Sequence, residues 1–371
     1  MSNFRDLSDE LVLKVLGYSE TKHLITCGQV SKRIRRISHD GKLWLTANLV
    51  KKIVKTEFLE MILVRGCKSL NISNSTIVGC LSSNTKSQLR ALDLCQPAST
   101  GTWPDLQVYR KETVDIIEAL LSSCCSLQRL NMEGILLTHK MAASICKNGK
   151  TLQVLNLNFR SDFLYEPVRK RNKDYTIVGV NYHHSDYQPT MDYTVLGNYQ
   201  AIIKCCQELK ELDMALGDNS PQLEEDDLEF LAKNISPNIV KLNLSQQDVE
   251  DDHIKTLLRR CNKIKVLNLQ STFVTKDLLK TIRQYLSLTL EELSMSEFGD
   301  TLFLELKKMP RLKIFNICAN KEDAKKIHNW RKHLPHLMIR TFFCDKFRTC
   351  RMNFEHFKNL EDLENLKNLD R

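Results

Sequence analysis

The chain has 371 residues, 42% of them apolar, with 54 Lys and Arg against 45 Asp and Glu for a formal net charge of +9. That composition suits two or three conventional domains of about 150 residues, or one repeat array with a small extra module. It excludes a helical membrane span, because the best apolar stretch, Phe58 to Val64, is interrupted by Glu60 and closed by Arg65, far short of the ~20 residues a bilayer needs. Arg5, Asp6, Asp9 and Glu10 stand where a signal peptide would be apolar, so an intracellular chain in the cytoplasm or nucleus is expected. Thirteen cysteines with no C-x-x-C pair read as reduced thiols, and neither a metal nor another cofactor is expected.

In chain order, Ser8 precedes an acidic first turn, Asp9-Glu10, and then Leu11, Val12, Val15 and Leu16. This predicts a capped amphipathic helix that stops at Gly17. Segments Glu20 to Gln29 and Ser31 to Ser38 complete a small all-α, three-helix module over residues 1–50, closed by Trp44. So short a module with so many apolar positions is expected to bury part of its surface on another protein. Residues 51–66 read as a linker helix.

From residue 67 to 340 a motif L-x-x-L-x-L recurs. Its copies are Cys67-Leu70-Ile72, Leu89-Leu92-Leu94, Leu127-Leu130-Met132, Leu152-Leu155-Leu157, Leu209-Leu212-Met214, Ile239-Leu242-Leu244, Ile264-Leu267-Leu269, Leu290-Leu293-Met295, Leu312-Phe315-Ile317 and Leu334-Leu337-Ile339. Their spacings are 22, 38, 25, 57, 30, 25, 26, 22 and 22 residues. Seven of the nine lie near the ~20 to 29 residues of a leucine-rich repeat. Helical patterns such as Ile254, Leu257, Leu258 and Cys261 fill the intervals. The expected fold is therefore α/β, a leucine-rich-repeat horseshoe of about ten strand-helix repeats behind the all-α module. The two long spacings mark insertions at about 96–112 and 158–199. The second holds Arg169-Lys170-Arg171, Lys173 and several tyrosines, and reads either as a binding insertion or as a solvated excursion. Its basic run also fits a nuclear-import patch. Residues 341–371 read as a C-terminal tail or cap whose five phenylalanines favour docking. Cys124, Cys206 and Cys261 each precede a motif by three residues, which gives them a packing role.

The third, fifth and seventh motif positions should face the concave sheet. Their charged residues are Asp93, Arg129, Glu133, Glu211, Asp213, Lys241, Glu292 and Arg340, three basic and five acidic. Such a face would release few counterions, so nucleic-acid binding becomes the minor reading despite the positive total. Candidate substrate contacts are Arg129, Asn131, Asn156, Asp213, Asn243, Asn268, Glu292 and Asn316. The asparagines among them either read a ligand or satisfy one another and water along the sheet. His183-His184 lacks a third ligand at metal spacing. No phosphate-binding loop, nucleophile elbow or H-E-x-x-H is present, so no catalytic residue is named.

Three segments carry a family resemblance. Leu7-Ser8-Asp9-Glu10-Leu11 resembles the Leu-Pro-x-Glu-Leu opening of an F-box, with Ser8 in place of Pro. Val30-Ser31-Lys32-Arg33-Ile34 and Asp40-Gly41-Lys42-Leu43-Trp44 are similar to its later segments. Joined to the repeats, they resemble the F-box/leucine-rich-repeat family over about residues 4–340. The resemblance implies a non-catalytic substrate-recognition subunit of a cullin-RING ubiquitin ligase. A Skp-type adaptor would be held by Phe4, Leu7, Ser8, Leu11, Leu24, Val30, Ile34, Ile37 and Trp44. Through it would come the cullin scaffold and RING subunit, while the repeats would take a protein substrate, with room for a small accessory subunit. A scaffold of the same build without ubiquitin transfer is the alternative.

Overall fold

The computed structural model describes residues 7–82, 85–96, 111–135, 137–158, 165–169, 175–179, 195–216, 223–296, 299–319 and 323–343. Three short helices come first, α1 (Asp9–Leu16), α2 (Thr21–Cys27) and α3 (Lys32–Ser38), then one 3-10 turn, Gly41–Trp44. Side-chain oxygens set their starts: Ser8 accepts from the Leu11 backbone N–H, Ser31 from that of Ile34, and Asp40 from that of Lys42. Each fills a donor that a helix leaves unpaired at its N-terminus. Asp9 ties α1 to α3, accepting from Arg33 Nε at 2.7 Å and from Arg36. The Arg33 hydrogen bond above all holds the Asp9 carboxyl below its ordinary range.

Fifteen strands, numbered in chain order, follow among the described residues. Eleven form one parallel sheet, in the order β1 (Thr46–Asn48), β3 (Ser69–Asn71), β5 (Ala91–Asp93), β6 (Arg129–Asn131), β7 (Val154–Asn156), β10 (Glu211–Asp213), β11 (Lys241–Asn243), β12 (Val266–Leu269), β13 (Glu292–Met295), β14 (Ile314–Ala319) and β15 (Met338–Phe343). Two small pairs stand apart: β2 (Ile53–Lys55) with β4 (Thr76–Val78), parallel, and β8 (Tyr165–Arg169) with β9 (Tyr175–Gly179), antiparallel. The connections carry α4 (Thr56–Val64), α5 (Lys111–Ser123), α6 (His139–Lys147), α7 (Val195–Cys205), α8 (Glu225–Asn234), α9 (Asp251–Leu258), α10 (Leu278–Leu286), α11 (Asp300–Leu306) and α12 (Asp323–His333). From α5 to α11 each helix packs on the next. The chain is thus a mixed α/β protein, a long parallel sheet behind an N-terminal helical region.

The middle motif residues Leu70, Leu92, Leu130, Leu155, Leu212, Leu242, Leu267, Leu293 and Phe315 stand side by side as register partners. None is more than 2% exposed. Each buried side chain contributes about 1.5–3 kcal/mol, and because strand side chains alternate, this row fixes which residues face the other side.

The sheet departs from the expected organisation in three places. It begins one strand early: Trp44, Ala47 and Leu49 follow the motif spacing and are 0%, 1% and 2% exposed. Ala47 pairs in register with Leu70, so α4 belongs to a first strand-helix unit rather than to a linker. Trp and Ala at positions elsewhere held by Leu had hidden it. At the other end Ile339, not Leu337, stands opposite Phe315. A slip of two keeps the same face, so burial is conserved although the register is not. Inside the second insertion β8 and β9 make a ribbon, and α7 starts at Val195, four residues before the expected boundary. The expectations for residues 97–110 and for the tail beyond Phe343 lie outside the described residues.

Cys124, Cys206 and Cys261 are buried. Burial pushes the Cys206 thiol up to about 12 and that of Cys261 up to about 11, so little thiolate forms at neutral pH. Among the described residues no helix is long and apolar enough to cross a membrane.

Candidate functional site

The sheet face opposite the leucine row holds a cleft of about 470 Å³ over β3 to β11. Its charged lining is Asp93, Arg129, Glu133, Glu211, Asp213 and Lys241. Four of the eight expected substrate contacts meet there, Arg129, Asn131, Asn156 and Asp213. Lys241 Nζ lies 3.0 Å from Glu211 Oε1 across β10 and β11. Asp93 Oδ1 accepts from Ser73 Oγ at 2.7 Å and Asn131 Nδ2 at 3.1 Å. Arg129 and Glu133 have no side-chain ion pair among the described residues and remain available. Four carboxylates against two cations give this lining a net negative charge.

The asparagine column has a mechanical role. Asn71, Asn131, Asn156, Asn243 and Asn268, together with Asp93 and Asp213, accept through Oδ1 from the backbone N–H two residues ahead, at 2.8 to 3.1 Å. Each such bond turns the chain out of its strand. Asn243 and Asn268 are fully buried and Asn316 is 3% exposed. These three are therefore not surface contacts, contrary to expectation. Asn316 Nδ2 instead donates to Glu292 Oε1 and Ser294 Oγ, both at 2.9 Å. Asn243, Asn268, Glu292 and Asn316, the other four expected contacts, are not among the residues that line the cleft.

On the helical module, Leu11, Val15, Tyr18 and Val30 are between 48% and 85% exposed. Val12 and Leu16, on the other side of α1, are buried. A helix apolar on two sides serves two partners, its own core and something outside. Residues 5–49 match the model of the F-box-like family. This part of the chain is an F-box-like domain. Domains of this kind generally dock on a Skp-type adaptor and act as non-catalytic receptors. The F-box residues named from the resemblance divide cleanly by burial. Leu11 and Val30 are exposed; Leu7 and Ile34 are half-buried against the core; Ser8 is exposed and caps α1; Phe4 lies outside the described residues. Leu24, Ile37 and Trp44, also expected as adaptor contacts, are 2%, 6% and 0% exposed and pack in the F-box core rather than on its surface. Trp44 Nε1 donates to Ser38 O at 2.7 Å, and the Arg65 guanidinium sits 4.4 Å from its ring centre. Val15, expected only as part of the amphipathic helix, and Tyr18 were not among the expected adaptor contacts, although Val15 lies one turn from Leu11 and the i, i+4 spacing announces the shared side.

The F-box-like match also overlaps β1, whose residues belong to the long sheet. One tryptophan thus closes the F-box core and begins the strand motif of the first unit.

Proposed function

We propose that this chain is the substrate-recognition subunit of a cullin-RING ubiquitin ligase, its F-box held by a Skp-type adaptor and its leucine-rich repeats holding a protein target. The observation that carries the reading is the shared core at Trp44. An exposed apolar adaptor face and a charged cleft are built on one continuous body, with no free linker between them. Rigid connection matters because the chain supplies no catalytic group. Its contribution to rate is the effective concentration of a target lysine near a charged conjugating enzyme, and a fixed span keeps that concentration high. The adaptor brings the cullin scaffold and RING subunit, and the reaction belongs to the cytoplasm or nucleus. Leu70 to Ile77 resembles the first repeat of the S-phase kinase-associated F-box protein, and Leu304 to Lys313 and Leu334 to Leu337 resemble its last two, which is in keeping with a ligase receptor and leaves room for a small accessory subunit; a scaffold without ubiquitin transfer is the alternative that the following test separates. Affinity purification from cells with and without proteasome inhibition tests the reading. Adaptor, cullin and RING subunit should co-purify in both states, and one or more further proteins should accumulate only under inhibition. Recovery of no cullin in either state would overturn it.

A further inference from the structure

The charges of the cleft are sorted by position along the strands. Its two cations, Arg129 and Lys241, stand at strand starts, and Lys241 is already paired with Glu211. The C-terminal ends carry Asp213, the last residue of β10, and Glu133, two residues beyond β6. Between them, two residues past β7, comes Asn158. Strand neighbours lie about 4.8 Å apart and Asp213 pairs in register with Asn156, so Glu133 and Asn158 stand at neighbouring strand exits and Asp213 on the next strand two residues back, the three spanning roughly 12 Å.

Asn158 is the independent sign of a ligand. It lines the cleft, it is 3% exposed, and its Oδ1 has no hydrogen-bond partner. A buried carbonyl acceptor is seldom left unpaired, because it forfeits its bond to water and gains none from protein. Glu133, level with it past the end of β6, and Asp213, two residues back on β10, line the same cleft with carboxylates, which can only accept. A donor arriving from outside satisfies that oxygen, and beside two carboxylates such a donor is most favourable when positively charged.

We propose that this end of the cleft receives a lysine or arginine side chain from an extended segment of the target protein. The ammonium or guanidinium would sit between Glu133 and Asp213 and donate to Asn158 Oδ1. Arg129, at the far end, disfavours a second cation and so restricts the basic residue to one place in the segment. The proposal rests on the reading of the chain as a target receptor and names the chemistry that the receptor selects.

The test uses the full chain in complex with its Skp-type adaptor and an immobilised library of short acetylated, amidated peptides, each amino acid fixed in turn at the central position. Lys and Arg should be retained at least about tenfold over Gln and citrulline, the loss of about one charge-assisted hydrogen bond. Glu133→Gln combined with Asp213→Asn should abolish that preference. Both changes are isosteric, the side-chain amide introduced by Asp213→Asn keeps an acceptor for the Ala215 N–H that Asp213 now serves at 3.0 Å, and an unchanged circular dichroism spectrum and melt of the variant check that its fold is kept. Arg129→Gln should leave the preference in place. An absence of basic preference, its survival in the double variant, or a preference for acidic or phosphorylated residues that depends on Arg129 would each overturn the proposal. Adaptor binding is read on the same samples: its loss with basic selection intact defeats the ligase reading alone.

Discussion

Asn148→Ala is the substitution whose cost the structure specifies most fully. Asn148 closes α6, is 2% exposed, and makes three side-chain bonds. Its Oδ1 accepts from the Leu127 N–H at 2.9 Å, and its Nδ2 donates to Cys124 O at 3.1 Å and Ser144 O at 3.0 Å. Leu127 leads into β6 and is 0% exposed, while Cys124 directly follows α5, so the amide ties the unit of β6 and α6 to the end of the unit before it. Alanine strands the Leu127 N–H away from water, which costs about 1–3 kcal/mol, and removes two further bonds worth about 0.5–1.5 kcal/mol each. Partial relaxation brings the expected total to about 2–4 kcal/mol. In an array whose units touch only their neighbours, that loss should concentrate around β6 and β7, the floor of the cleft. Denaturant unfolding gives the total, and site-resolved amide exchange gives its place. Leu127 should exchange faster by a factor of about 30 or more, the F-box helices should be unchanged, and peptide capture by the cleft should fall. An unfolding midpoint within about 0.5 kcal/mol of the parent, with the Leu127 amide still protected, would refute the claim that buried amides join successive units.

Two further substitutions probe the same body. Burial first, then the nearby Glu224 and Asp226, push the Asp227 carboxyl up, while Gln200 Nε2 donates to its Oδ1 at 2.7 Å and its Oδ2 has no partner. A folded value above the unfolded one means that ionised Asp227 costs stability above the folded pKa and that the cost vanishes as pH falls below the unfolded pKa. Asp227→Asn keeps the acceptor for Gln200, so it should stabilise the chain by about 1 kcal/mol at pH 7 and by nothing below about pH 3.5 in paired thermal melts; destabilisation at pH 7 would contradict this. Gly134 has φ +76°, and a Cβ there would lie 1.9 Å from Gln96 O. Gly134→Ala should therefore cost about 3 kcal/mol in denaturant unfolding, and a midpoint shift worth less than about 0.5 kcal/mol would show that the loop gives way freely.

The sheet was legible because its signal is local and repeated. A leucine every third and then second residue needs no knowledge of distant contacts, and the ten motifs recur as strands of one parallel sheet. The first strand was hidden because Trp44 and Ala47 fill leucine positions, one too large and one too small, and because Trp44 also serves the F-box core. The last register was misread because Leu334, Leu337 and Ile339 satisfy the same spacing two residues away. The adaptor face was half legible. Sequence separates apolar from polar, but only packing tells that Trp44 turns inward while Val30 turns out. In the cleft, residue type misled for a similar reason. Asparagine at the fifth position suits a ligand and a strand-ending turn equally well, and the choice depends on burial. Asn158 carried no signal at all, since its interest lies in a missing bond.

Titration of the purified chain with a Skp-type adaptor tests the central claim most directly. The account predicts a 1:1 complex that Leu11→Asp combined with Val15→Asp weakens at least about 100-fold, since two exposed apolar anchors are worth about 2 kcal/mol each at a docking face. The circular dichroism of the variant should match that of the parent, because both side chains project from α1 away from buried Val12 and Leu16. No complex with the parent chain, or an undiminished one with the double variant, would contradict the assignment of these helices as an adaptor-docking face.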